Sequence, residues 1–329
     1  RMLYEAQLIF DDQVDSLVKD SKKVGTQGGD IDFALLVDGL SAEREQGITI
    51  DVAYRFFSTE NRKFIVADSP GHEQYTRNMV TAASNAELAI ILIDVRNSIM
   101  PQTRRHTFLA NLLGIKNIIV AVNKMDLVDY DQETFNKIVT EYNNDVLSKL
   151  DISNSHFIPL SALKGDNIVT NSENMKWYKG MPLMKYLEEV KIDDVSDSNF
   201  TMPVQLVNRP NLNFRGFCGT VASGEISVGS DIEVTKSGEY ATIKEIFLGE
   251  KKVDKCSKSD AAMVTLNKEI DISRGDILTE RGNTIKSSKS CSANIVWFDT
   301  EECFKSRKYV IKSANRYTNC QILKIKHKI

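Results

Sequence analysis

Two short segments hold residue types that suit a nucleotide: Asp68-Ser69-Pro70-Gly71-His72-Glu73 and Asn123-Lys124-Met125-Asp126. A carboxylate at Asp68 can hold a hydrated Mg²⁺, and the Gly71 amide can approach a terminal phosphate because no Cβ intervenes. His72 beside it could orient an attacking water, as a Gln does in small GTPases. The competing reading is a surface or capping histidine. In the second segment, Asp126 can accept both N1–H and the 2-amino N–H of guanine. Adenine lacks that donor pair, so a buried carboxylate would go unpaired against it. Asn123 would tie neighbouring loops together, and the aliphatic stem of Lys124 would lie over the base. Ser161-Ala162-Leu163, directly after the apolar stretch 157–160, would complete the base pocket with backbone amides. A third segment, Glu43–Ile50, carries Thr49 in a charged loop. A threonine there can ligate Mg²⁺ only when the γ-phosphate is present, which orders the loop in one nucleotide state. Together the three segments predict a GTP/GDP switch that uses Mg²⁺.

Such residues need a scaffold that brings them to one place. The apolar runs Phe64–Ala67, Leu88–Ile93 and Ile118–Val122 are followed directly by Asp68, Asp94 and Asn123. Continuous runs of this kind suit strands buried on both faces of a parallel sheet. Helical patterns over 72–84, 101–113 and 131–149 separate them, and a strand at 157–160 and a helix over Met181–Val190 follow. Strand–helix alternation predicts a parallel sheet covered on both sides, with ligands bound beyond the carboxyl ends of its strands. Near residue 192 the pattern changes. Residues 191–199 are polar and acidic and read as a linker. Beyond them, Pro203–Val207, Gly216–Ala222, Asp231–Val234, Ala241–Phe247 and Ala261–Leu266 predict a β-barrel of short strands. Ser292–Phe298, Lys308–Ile311 and Cys320–Ile325 read as strands of another β-rich unit, too short for a complete barrel. The expected domains are 1–195, 200–287 and 288–329.

Composition excludes several classes. With 329 residues, two or three domains are expected, and 42% hydrophobic with 26% charged content is that of a globular protein. No run approaches the roughly 18 apolar residues of a membrane helix, and no signal peptide is visible. The five cysteines are odd in number and contain no Cys-x-x-Cys pair, which argues against a disulfide framework or zinc site and for a reducing cytoplasm. Residues 1–199 hold 21 basic and 30 acidic side chains, and the remainder 21 and 15. The acidic half and the basic half suit different partners, or reflect ordinary surface variation.

Asp68-x-Pro70-Gly71-His72, Arg44-Glu45-x-Gly47-Ile48-Thr49 and Asn123–Asp126 together are similar to the translation-factor class of GTPases, typified by elongation factor Tu. A narrower likeness runs from residue 25 to 276. Gly25–Gly28, Leu35–Leu40, Glu73–Met79, Gln102–His106, Val207–Gly216 and Glu269–Asp276 resemble the large, GTP-binding subunit of bacterial sulfate adenylyltransferase. This resemblance implies an α/β P-loop-type GTPase domain followed by two β-barrels. It implies a partner, a smaller catalytic subunit that joins ATP and sulfate into adenosine 5′-phosphosulfate and pyrophosphate, coupled to GTP hydrolysis. It also implies roles: Thr49 and Asp68 serve Mg²⁺, Gly71 the γ-phosphate and His72 the water. Asn123, Lys124, Asp126 and Ser161, with Ala162 and Leu163, serve the guanine. Ser69 stands where that family usually has Thr, a change that keeps a small hydroxyl. The alternatives are an elongation factor binding aminoacyl-tRNA and a regulatory scaffold with a vestigial GTPase. The lysines of the basic half alternate with acids up to about residue 280, so nucleic acid is not the expected partner, and neither is a membrane.

No Gly-x-x-x-x-Gly-Lys-Ser/Thr loop occurs in the 329 residues. Relatives place that loop just before the helix that Arg1–Tyr4 would continue. The GTPase domain is therefore expected to lack its first strand and phosphate loop, and the last barrel to be incomplete. Without the amide cradle and its lysine, this polypeptide alone is expected to bind GTP poorly and to hydrolyse it hardly at all.

Overall fold

A computed structural model describes residues 2–5, 18, 21, 43, 48–152, 154–192, 199–212, 214–283, 285 and 288–327. The segments 25–28, 35–40 and 44–47, and linker residues 193–198, lie outside the described residues. The chain divides into two compact units, Arg1–Ile192 and Asp193–Ile329.

The first unit begins with a short helix, α1 (Met2–Glu5), and holds an antiparallel hairpin of β1 (Ala53–Ser58) and β2 (Lys63–Asp68). β3 (Leu88–Asp94), β4 (Asn117–Asn123) and β5 (Asn154–Pro159) form a parallel sheet in the order β3-β4-β5. β4 is central, and Ile118 to Val122 are each no more than 1% exposed, which is why this strand is apolar throughout rather than alternating. β1 carries little sequence signal because most of its side chains face outward.

Helices α2 (Thr76–Ala83), α3 (Pro101–Leu112), α4 (Gln132–Asp145) and α5 (Leu183–Glu189) connect and cover the strands. Local chemistry sets their ends. α3 starts at Pro101, whose missing N–H and fixed φ suit a first helical position. α4 is capped by Asp131, whose carboxylate accepts the Thr134 N–H at 2.7 Å and its hydroxyl at 2.6 Å. The pattern over 72–84 is not one helix: a 3₁₀ turn, Glu73–Tyr75, precedes α2. The pattern over 131–149 likewise breaks after Asp145 into a 3₁₀ turn, Leu147–Lys149. Between α3 and α4, the fully buried Tyr142 hydroxyl meets Thr107 Oγ1 at 2.5 Å, and burial pushes the phenol up to about 12. Arg62, in the β1–β2 turn, donates to the Leu187 and Val190 carbonyls at 2.7 and 2.8 Å. It thereby satisfies acceptors left open at the end of α5.

The second unit opens with β6 (Thr201–Pro203), β7 (Leu206–Asn211), β8 (Phe214–Thr220), β9 (Glu225–Ser227) and β10 (Asp231–Val234). β11 (Tyr240–Leu248), β12 (Lys251–Val253), β13 (Lys255–Ser257), β14 (Ala261–Leu266) and β15 (Ile277–Glu280) follow. The main sheet runs β6-β15-β10-β11-β14-β8-β7, with β12 on β11 and a separate β9–β13 pair. Because β6 and β7 are one stretch of chain, its first half lies on β15 and its second on β8, and the sheet closes into a barrel. The single strand expected at Pro203–Val207 is therefore two. The break falls where the Val204 N–H turns to the Asp276 carbonyl and the Gln205 N–H to the Cys218 carbonyl, both at 2.8 Å. Phe200, Met202, Phe217, Ile232, Ile246 and Leu278 are among the side chains that fill the interior.

Closure requires close approach at Gly219, where an added Cβ would lie 2.3 Å from the Pro203 carbonyl oxygen. The two barrel segments of the resemblance also meet. Arg215 lies over the Phe217 ring and donates to the Ile270 and Ile272 carbonyls at 3.2 and 3.3 Å. Beyond β15, β16 (Lys308–Ser313) and β17 (Arg316–Gln321) form a hairpin, which Arg316 ties to the buried Asp276 at 2.5 Å. Ser292–Phe298 is not a strand: no described strand pairs with it, and Ile295 is exposed. An apolar run does not extend stably without a hydrogen-bonded neighbour. Gly219→Ala is expected to cost about 1–3 kcal/mol in urea unfolding; an unchanged midpoint would show that the barrel does not close tightly there.

Candidate functional site

The parallel register aligns the strand ends, setting Asp94 opposite Asn123 and Val122 opposite Pro159. Two loops lie beyond this row. The first turns tightly around a 3₁₀ turn, Met125–Val128, with left-handed backbone at Lys124 (φ 67°), Asp129 (φ 52°) and Tyr130 (φ 57°). Non-glycine residues adopt that region only where their surroundings hold them there. Fully buried Met125 anchors the turn, and its N–H donates to the Leu160 carbonyl at 3.2 Å. Asn123 Oδ1 accepts the Lys124 N–H at 2.7 Å and the Ala162 N–H at 2.9 Å, joining the two loops. Ser161 is fully buried, its hydroxyl accepting the Lys164 N–H at 3.2 Å and its own N–H reaching the Asp166 carbonyl at 3.3 Å. Tyr130 donates to Asp166 Oδ2 at 3.0 Å, and burial together with that carboxylate pushes the phenol up to about 12.

Lys124 extends its ammonium to Asp94 Oδ2 at 3.0 Å. Arg96 grips the same carboxylate at 2.7 and 3.0 Å. Arg96 first, and Lys124 after it, hold the Asp94 carboxyl well below the usual carboxylate range. Asp126 stands apart: its Oδ1 is buried and has no hydrogen-bond partner among the described residues. A buried acceptor left open costs about 1–3 kcal/mol, which a ligand presenting N–H donors would offset.

A second cluster surrounds the end of the hairpin. Asp68 closes β2 opposite Ala53, half-buried, and its carboxyl is pushed up by burial and by the nearby Glu43 carboxylate. A cation held there would relieve both effects, so these oxygens fit Mg²⁺. Gly71 is exposed, and among the described residues an added Cβ would meet only His106 Cε1, at 3.9 Å. His72 is exposed, with extended backbone (φ −76°, ψ 143°) ahead of the 3₁₀ turn, and makes no capping hydrogen bond. Of the competing reading, the capping half finds no support among the described residues, and the exposure agrees with the surface half. Half-buried Thr49 precedes Ile50, whose N–H donates to Glu43 Oε1 at 2.9 Å. From α3, Arg105 reaches Glu73 at 3.1 Å.

Asn123, Lys124, Asp126, Ser161, Ala162 and Leu163 thus share one pair of loops, while Thr49, Asp68, Gly71 and His72 flank the hairpin end. α2 packs on β2 and on α3, and α3 packs on β3, linking the two sets. The Ala162 and Ser161 amides, assigned to the base by sequence, are here taken up by Asn123 and Asp166. Sequence reasoning gave no role to Glu43, Asn78, Arg96 or Arg105. Asp94 was visible as a polar strand end in line with Asn123, but its grip on Lys124 was not.

A parallel α/β sheet that ends in an Asn-Lys-x-Asp loop, together with a hairpin that ends in an Asp-x-x-Gly loop, defines a class, the GTP-binding domains. Residues 13–193 match the elongation factor Tu GTP binding domain family. Over its whole length the chain is 51% identical to sulfate adenylyltransferase subunit 1 of Saccharophagus degradans, spanning 70% of that protein. It is 54% identical to sulfate adenylyltransferase subunit 1 of Aliarcobacter butzleri across 97% of this chain and 68% of the relative. The chain belongs to the sulfate adenylyltransferase subunit 1 family. Among solved structures, a bacterial selenocysteine-specific elongation factor, EF-Sec, matches at 24% identity and a TM-score of 0.41, over 74% of this chain and 40% of that one.

The room around Gly71 has a measurable consequence. Gly71→Ala is expected to unfold within about 0.5 kcal/mol of the parent in urea, so that any defect in nucleotide response reports on the site. A loss above ~1 kcal/mol would mean that the fold itself needs the glycine.

Proposed function

We propose that this chain is a GTPase subunit that couples GTP hydrolysis to formation of adenosine 5′-phosphosulfate and pyrophosphate from ATP and sulfate on a smaller catalytic subunit. Support comes from the family membership and, in the site, from one observation: the buried, unpartnered Asp126 Oδ1 beside a loop locked by Asn123.

In this reading Asp126 accepts guanine N1–H and the 2-amino N–H, and Asn123 holds the loops at the spacing the base needs. Asp94 fixes the Lys124 ammonium at 3.0 Å, leaving the aliphatic stem to lie along the base. Ser161, Ala162 and Leu163 form the wall of the base pocket. Gly71 gives its amide to the γ-phosphate. His72, free of capping bonds, orients the water that attacks it. Thr49 and Asp68 would hold Mg²⁺, which when bound neutralises charge on the phosphates. The division into 1–195, 200–287 and 288–329 belongs to this reading, supported by barrel closure ahead of residue 288 and by the separate hairpin after it. So does a cytoplasmic setting, which the five free cysteines favour. No helix among the described residues is long and apolar enough to cross a membrane.

The test joins to this polypeptide the phosphate loop that it is expected to lack, adds the catalytic partner, and measures adenosine 5′-phosphosulfate formed per GTP hydrolysed. Asp126→Asn is expected to weaken the response to GTP by ~100-fold, because an amide presents a donor where a carboxylate accepted two. Xanthosine triphosphate, with a carbonyl at C2, should restore it. An unchanged GTP response, or affinity for aminoacyl-tRNA without any effect on adenylyl transfer, would overturn the proposal.

A further inference from the structure

Ile50, the residue after Thr49, is gripped from both sides. Its N–H and that of Asp51 donate to Glu43 Oε1 at 2.9 and 3.1 Å. Its carbonyl accepts Asn78 Nδ2 at 2.8 Å, across 28 residues of sequence and in a half-buried setting. Asn78 lies on α2, the helix that follows the Asp68–His72 loop. Three residues beyond Ile50 the chain enters β1 at Ala53, which pairs with Asp68.

These contacts close a ring. It runs from Asp68 through Gly71, His72 and the 3₁₀ turn to Asn78, across one hydrogen bond to Ile50, along the chain to Ala53, and back across the hairpin to Asp68. The hairpin pairing is one of a ladder of six between β1 and β2, so the Asn78 amide is the weak link. Through that bond, displacement of the 73–78 arc reaches the Thr49 segment directly; without it, the ring leaves the longer route back through Asp68, the hairpin and Ala53. We infer that Asn78 is a positioning residue that couples the Thr49 segment to the Asp68–His72 loop, so that the two respond together to the nucleotide. This inference rests on the proposed GTP site.

Hydrogen exchange on the whole chain tests it in two arms, with Asn78→Ala and with Asn78→Asp, which keeps the shape but loses the donor. Without nucleotide, the Ile50 and Asp51 amides should exchange faster in both variants by on the order of tenfold, while β4 amides stay as in the parent. With saturating GDP or a non-hydrolysable GTP analogue, the parent should show state-dependent exchange in both 48–52 and 73–80. The variants should keep the response in 73–80 and lose it in 48–52. Parent-like exchange at Ile50 and Asp51 in the first arm overturns the inference whether or not nucleotide binds, and so does a retained 48–52 response in the second. Absence of any nucleotide effect in the parent is what a chain without a phosphate loop is expected to show, and the first arm still decides the role of Asn78. A global loss of β4 protection in both variants would make Asn78 a general fold contact and would also overturn it.

Discussion

The row of strand ends across β3, β4 and β5 is the constraint on which the paired loops after β4 and β5 depend. Parallel pairing with Ile118–Val122 buried on both faces leaves no room for a shift of register, because any slip would carry polar ends into the core. Asp94 and Asn123 therefore finish side by side, and Leu160 follows β5 at the same level. From that alignment come the Lys124–Asp94 ion pair, the Met125–Leu160 bond and the double acceptance by Asn123. Left-handed backbone at Lys124, Asp129 and Tyr130 is tolerated because buried Met125 and these bonds over-determine the turn. What results is a loop held at several points, with an acceptor on Asp126 that finds no partner among the described residues.

The cluster of Thr49, Asp68, Gly71 and His72 is built differently. Its residues sit at the end of a two-stranded hairpin and on the chain that leads into and out of it, with far less buried apolar surface than β4. Segments with few buried contacts open at low free-energy cost. In the proposed reading, a firmly held base reader beside a lightly held phosphate sensor is the division of labour a nucleotide switch needs: one part stays bound while the other changes state. The barrel unit, closed by the Thr201–Asn211 stretch, resembles the base side in its dense core.

Legibility in sequence follows the same division. β4 was plain because burial on both faces writes an unbroken apolar run, and Asn123–Asp126 followed because polar residues at such strand ends have few structural reasons to be there. The runs 88–93 and 64–67 read the same way, yet Ile90, Leu92 and Ile65 are exposed and β2 pairs antiparallel with β1 outside the parallel sheet. Barrel strands such as Asp231–Val234 and Ala261–Leu266 showed through alternation and glycine breaks. β1 did not, since an outward-facing hairpin strand imposes no pattern. Ser292–Phe298 misled in the opposite sense, as apolar content alone cannot supply a pairing partner. Glu43, Asn78 and the partners of Asp94 were hidden for a third reason: each acts through a few hydrogen bonds or an ion pair fixed by a local turn or by tertiary register, which leaves no periodic trace. The 207–216 and 269–276 segments were recognisable as signatures, but that Arg215 clasps one onto the other is knowledge only the fold supplies.

The central claim is that the Asp126 carboxylate reads guanine through two N–H donors, and base competition tests it most directly. Displacement of a fluorescent guanine nucleotide by GDP, inosine diphosphate and ADP separates the two donors, since hypoxanthine keeps N1–H and lacks the 2-amino group. The ratio of affinities isolates the base from the phosphates common to all three. The account predicts GDP ahead of inosine diphosphate, and inosine diphosphate ahead of ADP, with GDP over ADP by ~100-fold or more. Equal competition by ADP and GDP would contradict it.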